Sequence, residues 1–204
     1  GRTDAGVHAT GQVVSFRSDS SRLDFERLVG ALNSICSADI RVQAVTAVDD
    51  DFNARFSATE RMYHYFILNA PQADPLLADL EWHIPEPLDL DAMNQAASLF
   101  LGEHDFTSFC RRPKGQPESL LVRRIHSAKW VADNRERIYF EISANAFCHQ
   151  MVRSLTGFCV AVGSGKCDAE TFEAVLGARD RSAAPPIAPP HGLVLKHVTY
   201  GKTD

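Results

Sequence analysis

Residues 137–162, RIYFEISANAFCHQMVRSLTGFCVAV, change their hydrophobic period part-way along. Through Ala144 the apolar side chains of Ile138, Phe140, Ile142 and Ala144 alternate, as in a strand with one buried face. From Ala146 they recur as Phe147, Met151, Leu155, Phe158 and Val162. That is the spacing of one helix face, and Gly163 and Gly165 close it. A strand that feeds a long apolar helix makes the fold mixed, and the flanking sequence repeats the theme.

Upstream, Arg124–Val131 reads as a second strand. Leu90–Leu101 reads as a helix with Met93, Ala97, Phe100 and Leu101 inward, stopped by Gly102. Arg61–Asn69 and Ile40–Val48 read as strands, and Gly11–Phe16 as a short one. Asp24–Cys36 has Phe25, Leu28, Val29, Leu32 and Ile35 at helical spacing, so one face is expected on a core, with Ser21 or Asp24 as the cap. Downstream, Asp168 is placed to cap a helix carrying Phe172, Val175 and Leu176, and Leu193–Tyr200 reads as a last strand. The alternation predicts an α+β (mixed α/β) fold in two halves. Residues 71–87 hold four of the ten prolines and mark the crossing, giving expected domains at 1–75 and 76–204.

Composition narrows the function classes. No apolar run approaches the ~20 residues of a membrane span, and nothing reads as a signal peptide. Five cysteines at irregular spacing, without C-x-x-C, argue against a disulfide framework and a zinc finger. Reduced thiols in the cytoplasm are the simpler expectation. The net charge of −5 speaks mildly against nucleic acid. Yet the stretch from Arg111 to Lys129 carries six basic residues (Arg111, Arg112, Lys114, Arg123, Arg124, Lys129) against one acidic, Glu118. Such a stretch is either a solvated loop or a track for a phosphate backbone.

The chain opens GRTDAGVHATGQVVSF. Gly1 and Gly6 let the backbone turn, and Ala5 and Gly6 leave room beside Asp4. Arg2 is close enough in sequence to pair with Asp4, and an adjacent guanidinium favours an ionised carboxylate. A carboxylate held ionised in a cleft serves as nucleophile or base. On loop chemistry alone, a turn aspartate that caps a backbone N–H is the commoner case. Asp4 and His8 have helical ligand spacing, but Gly6 argues against a helix and no third ligand lies nearby, so no metal site is expected.

Four blocks together carry a resemblance. GRTDAGVHATGQVVSF resembles the catalytic motif of the tRNA pseudouridine synthases of the TruA type. FNARFSATERMYHYFI (Phe52–Ile67), HDFTSFCR (His104–Arg111) and FEISANAFCHQMVRSLTGFCVAVGSGK (Phe140–Lys166) resemble that family's later blocks in order, and PPHGLVLKHVTY fits its end. The resemblance implies an isomerase that converts uridine to pseudouridine in the anticodon arm of tRNA (positions 38–40). It implies a homodimer without cofactor or metal, with largely antiparallel sheets flanked by helices and a cleft between the two halves. By the same resemblance Asp4 is the catalytic carboxylate, while Arg2, Tyr63 and Arg153 bind the substrate. The C–N glycosidic bond breaks, the uracil turns, and C5 rejoins the ribose. The family carries a further strand and helix ahead of the motif, so this chain is expected to lack that N-terminal segment. The stretch RRPKGQPESLLVRR departs from the commoner family form.

On the expected long helix Arg153 lies off the stripe of Met151, Leu155 and Phe158, free to reach a cleft and Asp4. Tyr63 and Tyr65 share one strand face. Tyr63 is expected to stack on an extruded uracil, and Tyr65 to pack in the core. Arg111, Arg112 and Lys114 are expected to meet RNA phosphates. Two other readings stand beside the isomerase: a tRNA-binding or chaperone-like module without catalysis, and a metal-dependent hydrolase using His8 and His149.

Overall fold

A computed structural model describes residues 2–18, 23–112, 115, 121–133 and 136–201. The chain divides into two compact units, residues 1–13 with 58–204, and residues 14–57. The proline-rich stretch 71–87 lies inside the first.

The first unit is built on one open, mixed sheet of seven strands. Its strands are β1 (His8–Ala9), β2 (Ala58–Leu68), β3 (Trp82–His83), β4 (Gly102–Asp105), β5 (Val122–Ala132), β6 (Arg137–Ala144) and β7 (Leu193–Tyr200). The order is β1-β7-β2-β6-β5-β4, with β3 paired to the end of β2. β1 runs parallel to β7 and β3 parallel to β2; the other pairings are antiparallel. β2 sits centrally, with Tyr63 opposite both Ile142 and Leu195, and Tyr65 opposite Phe140. Its alternation sends Tyr63, Tyr65 and Ile67 into the core.

That core lies between the sheet and three helices, α2 (Leu90–Ser98), α3 (Met151–Gly163) and α4 (Thr171–Ala178). Asp89 caps α2 by accepting from the Ala92 N–H. The α2 stop falls before Gly102, whose φ of +92° turns the chain into β4. Met151, Leu155 and Phe158 of α3 are wholly buried. Phe100, Phe109 and Phe158 crowd around Phe172 of α4 with ring centroids 5.0–5.8 Å apart, and Trp130 stacks on Phe140 at 4.9 Å. Arg137 forks onto Glu81, which is itself buried. Among the described residues no helix is long and apolar enough to cross a membrane.

Three differences from the sequence reading matter for the site. The long helix starts at Met151, five residues after Ala146, because the chain first makes a tight turn. The Asn145 side chain accepts from the N–H groups of Arg124 and Ala146, the Met151 N–H bonds the Cys148 carbonyl, and Gln150 takes a left-handed φ of 68°. Phe147 is therefore a turn residue. Second, α4 starts at Thr171 after Glu170 rather than being capped by the Asp168 side chain; the Asp168 carbonyl accepts from Thr171. Third, the fold brings Cys110 and Cys148 side by side, with Cα atoms 5.8 Å apart, a proximity their sequence spacing does not announce. Sequence spacing does not reveal that the 3-10 turn Thr107–Phe109 and the start of α3 are neighbours; the Arg111 N–H to His149 carbonyl bond ties them.

The second unit holds α1 (Phe25–Ile35), capped by the Asp24 side chain on the Arg27 N–H. Its Asn33 side chain exchanges two bonds with the Val42 backbone, at 2.9 and 2.8 Å. Neither Gly11–Phe16 nor Ile40–Val48 is a strand. No residue of α1 is buried, so the expected core face is only half-covered at Leu28, Val29 and Leu32. Helical spacing reports a helix with two unlike faces; it does not supply the partner for the apolar one.

Candidate active site

The opening loop is positioned by its own turn and by the sheet edge. The Val7 N–H bonds the Asp4 carbonyl at 3.1 Å, with Gly6 at φ +79° inside the turn. β1 then docks on β7, and the N–H groups of Thr10 and Gly11 both reach the Leu195 carbonyl. A side chain at Gly11 would overlap the Lys196 carbonyl, so only glycine permits this approach. Asp4 is thereby fixed at the loop's head with 28% of its side chain exposed.

Arg153 comes to it from α3. Its Nη1 lies 3.3 Å from Asp4 Oδ2, and its Nε donates to the Ala188 carbonyl at 2.8 Å. The side chain is 12% exposed, so this is a semi-buried pair. The Ala188 segment can lie on the helix because position 157 is glycine: a Cβ there would meet the Pro186 carbonyl. The other carboxylate oxygen, Oδ1, lies 3.2 Å from His149 Nε2. His149 ends the turn before α3 and is 46% exposed, so it forms the open side of the site. Both oxygens of Asp4 are held, one by a permanent cation and one by an imidazole.

Tyr63 stands beside this pair from β2. Burial pushes its phenol up to about 12; Arg61 opposes the shift and Asp4 adds to it. The hydroxyl therefore stays protonated at neutral pH, able to donate. Its ring meets Phe147 edge-on at 5.3 Å. Tyr65 is wholly buried and donates to the Pro189 carbonyl at 2.8 Å, the core role expected of it.

Of the residues singled out from sequence, the structure brings Asp4 and Arg153 into contact and sets Tyr63 within electrostatic reach of Asp4. Arg2 is exposed, and the guanidinium on Asp4 belongs to Arg153. Within the basic stretch, Arg124 pairs with Glu103 and Lys129 with Glu141. Arg111 and Arg112 are exposed beside the turn that leads to α3, whereas Lys114 lies outside the described residues. His8 bonds the Asp79 carbonyl at 2.8 Å, and among the described residues no group of three or more His, Cys, Asp or Glu is arranged for a metal.

The sequence offers His149 only as a metal ligand. Its actual place depends on the left-handed turn at Gln150, for which C-H-Q-M-V-R gives no local signal.

The family profile described as tRNA pseudouridine synthase matches residues 96–201, and relatives match across almost the whole chain. The tRNA pseudouridine synthase A of Moorella thermoacetica is 42% identical over 200 residues, covering 98% of this chain and 80% of the relative. This chain belongs to the tRNA pseudouridine synthase family. The enzymes of the same name from Burkholderia thailandensis (42% identical, 98% of this chain, 73% of the relative) and Thermosipho africanus (40%, 98%, 80%) agree. A carboxylate gripped by two nitrogen groups beside a protonated phenol is an arrangement capable of acid–base and covalent chemistry.

Proposed function

We propose that the chain converts uridine to pseudouridine in the anticodon arm of tRNA, at positions 38–40, with Asp4 as the catalytic carboxylate. A uridine stacked in a helix cannot be detached and turned, so it swings out into the site at a cost of a few kcal/mol. Asp4 acts on the extruded nucleotide while the glycosidic C–N bond breaks. The uracil rotates, C5 bonds to C1′ of the ribose, the C5 proton is removed, and N1, released from the sugar, takes up a proton. No atom is gained or lost, so no cofactor is required. Arg153 and His149 fix the two carboxylate oxygens against rotation, and Tyr63 offers a ring face and a neutral hydroxyl to the base. Arg2, exposed at the head of the same loop, contacts the substrate, and Arg111, Arg112 and Lys114 meet phosphates. Two copies act together in the cytoplasm, as the resemblance implies.

The observation that carries the reading is the 3.3 Å pairing of Asp4 with Arg153, residues remote in sequence that both fall in blocks of family likeness. The test is incubation of the full chain with unmodified tRNA, followed by mapping of pseudouridine. Product confined to positions 38–40 is expected. Tight tRNA binding with every uridine unmodified would favour the non-catalytic module. Sedimentation of the free protein reports whether two copies associate.

A further inference from the structure

One residue beyond His149, the chain borders a second recess. This open depression of about 420 Å³ is walled by Arg111, Arg112, Gln150, Arg179, Asp180 and Arg181 among others. Three distant segments make it, and they are tied together. Ser108 Oγ donates to the Val175 carbonyl at 2.6 Å and accepts from the Asp180 N–H at 3.1 Å. Arg112 Nη2 donates to the Arg179 carbonyl at 3.1 Å, and the Arg111 N–H bonds the His149 carbonyl.

The charge in this wall is lopsided. Four guanidiniums face one carboxylate, and Asp180 is engaged by the Ser182 N–H and hydroxyl at 2.9 and 2.6 Å. Arg181 is oriented by the carbonyls of Ala184 and Pro185, which hold its fork without neutralising it. Arg179 pairs with Asp105 at 3.1 Å, a carboxylate that also accepts from the Thr107 hydroxyl, and Arg112 acts electrostatically on Asp180. Among the described residues no aromatic ring is among its walls. Forked donors gathered on one wall suit an oxyanion with several acceptor oxygens.

We propose that this recess is a backbone subsite that holds a phosphodiester of the RNA next to the nucleotide engaged by Asp4. The proposal rests on the tRNA reading above and deepens it: Arg179, Arg181 and Gln150 join Arg111 and Arg112 in one pocket. Gln150 and His149 are consecutive, so the phosphate grip and the carboxylate grip share one turn. RNA held there is in register for the swung-out nucleotide, and the sequence of the RNA is not read at this point.

The test compares the full wild-type chain with the Arg112→Gln/Arg179→Gln double variant, and with Arg111→Gln should the double variant melt early. Affinity for an unmodified anticodon-arm RNA is measured across potassium chloride concentrations, with pseudouridine formation followed in parallel. The expected result is a log K against log salt slope shallower by about one unit, with affinity near 0.15 M salt at least ~10-fold weaker. An unchanged slope and affinity in a variant that melts like wild type overturns the subsite. A second arm uses inorganic phosphate alone. If it raises the wild-type melting temperature while the RNA slope is the same in both proteins, the recess binds a free anion and the RNA assignment is overturned. Failure of the isomerase reading shows separately, as wild type that forms no pseudouridine whatever the slopes.

Discussion

At Asp4 the two carboxylate oxygens are held from different directions, and each grip makes its own prediction. His149→Ala frees Oδ1, so the carboxylate can swivel about its remaining bond to Arg153. Single-turnover pseudouridine formation is expected to fall up to about 100-fold, since a misplacement of 1 Å is enough for that. His149→Gln, which keeps a donor at that place, should recover part of the loss; equal damage from both would assign His149 to fold alone. Tyr63 makes a different kind of prediction. Its raised pKa means the native state holds the phenolic proton more tightly than the unfolded chain. Stability from this source is complete below pH ~10 and falls as pH rises from ~10 to ~12. Tyr63→Phe should flatten part of the alkaline loss of melting temperature, leaving the part due to Tyr65, whose pKa burial also raises. A melting profile unchanged above pH 10 would contradict the burial argument. The sequence singles out Asp4, Tyr63 and Arg153 because they match distinctive blocks. The place of His149 beside Asp4 comes from a backbone angle that its neighbours do not encode.

Among the elements, β6 and β7 were read from sequence to the residue, because clean alternation leaves one way to bury a face. The start of α3 was not, because apolar spacing runs on through Phe147 while the backbone turns. That turn contains a testable strain. Gln150 at φ 68° pays a steric penalty that glycine does not, of roughly 1 kcal/mol. Gln150→Gly should melt at or above the wild-type temperature, and Gln150→Val clearly below it. The reverse order would show that the left-handed turn is not the native one. Gly157 gives a second test. Alanine there drives a methyl into the Pro186 carbonyl and pushes away the segment that holds Arg153. A loss of about 1–3 kcal/mol in denaturant melts is expected, with slower turnover at temperatures where the variant is still folded.

For the whole molecule, the division of labour is plain in burial. Among the described residues, the first unit contains the sheet, the aromatic core and the His149 and Arg153 contacts on Asp4; the second contains a capped helix with no buried residue. Sequence periodicity foresaw both helices alike, since it measures facial asymmetry and is blind to what covers the face. The ion pair of Arg137 with buried Glu81 is global in its effect, joining β6 to the loop before β3. Arg137→Ala leaves the buried Glu81 carboxylate without this partner and should lower stability by about 1–3 kcal/mol in urea melts, the half-exposed guanidinium being partly screened; no measurable change would mean the pair is fully solvent-screened. The central proposal is that Asp4 presents its carboxylate to an extruded uridine. The most direct measurement is single-turnover pseudouridine formation by Asp4→Asn against wild type on unmodified tRNA. The account predicts a loss of at least ~1,000-fold with RNA still bound. Turnover within a few-fold of wild type would contradict it.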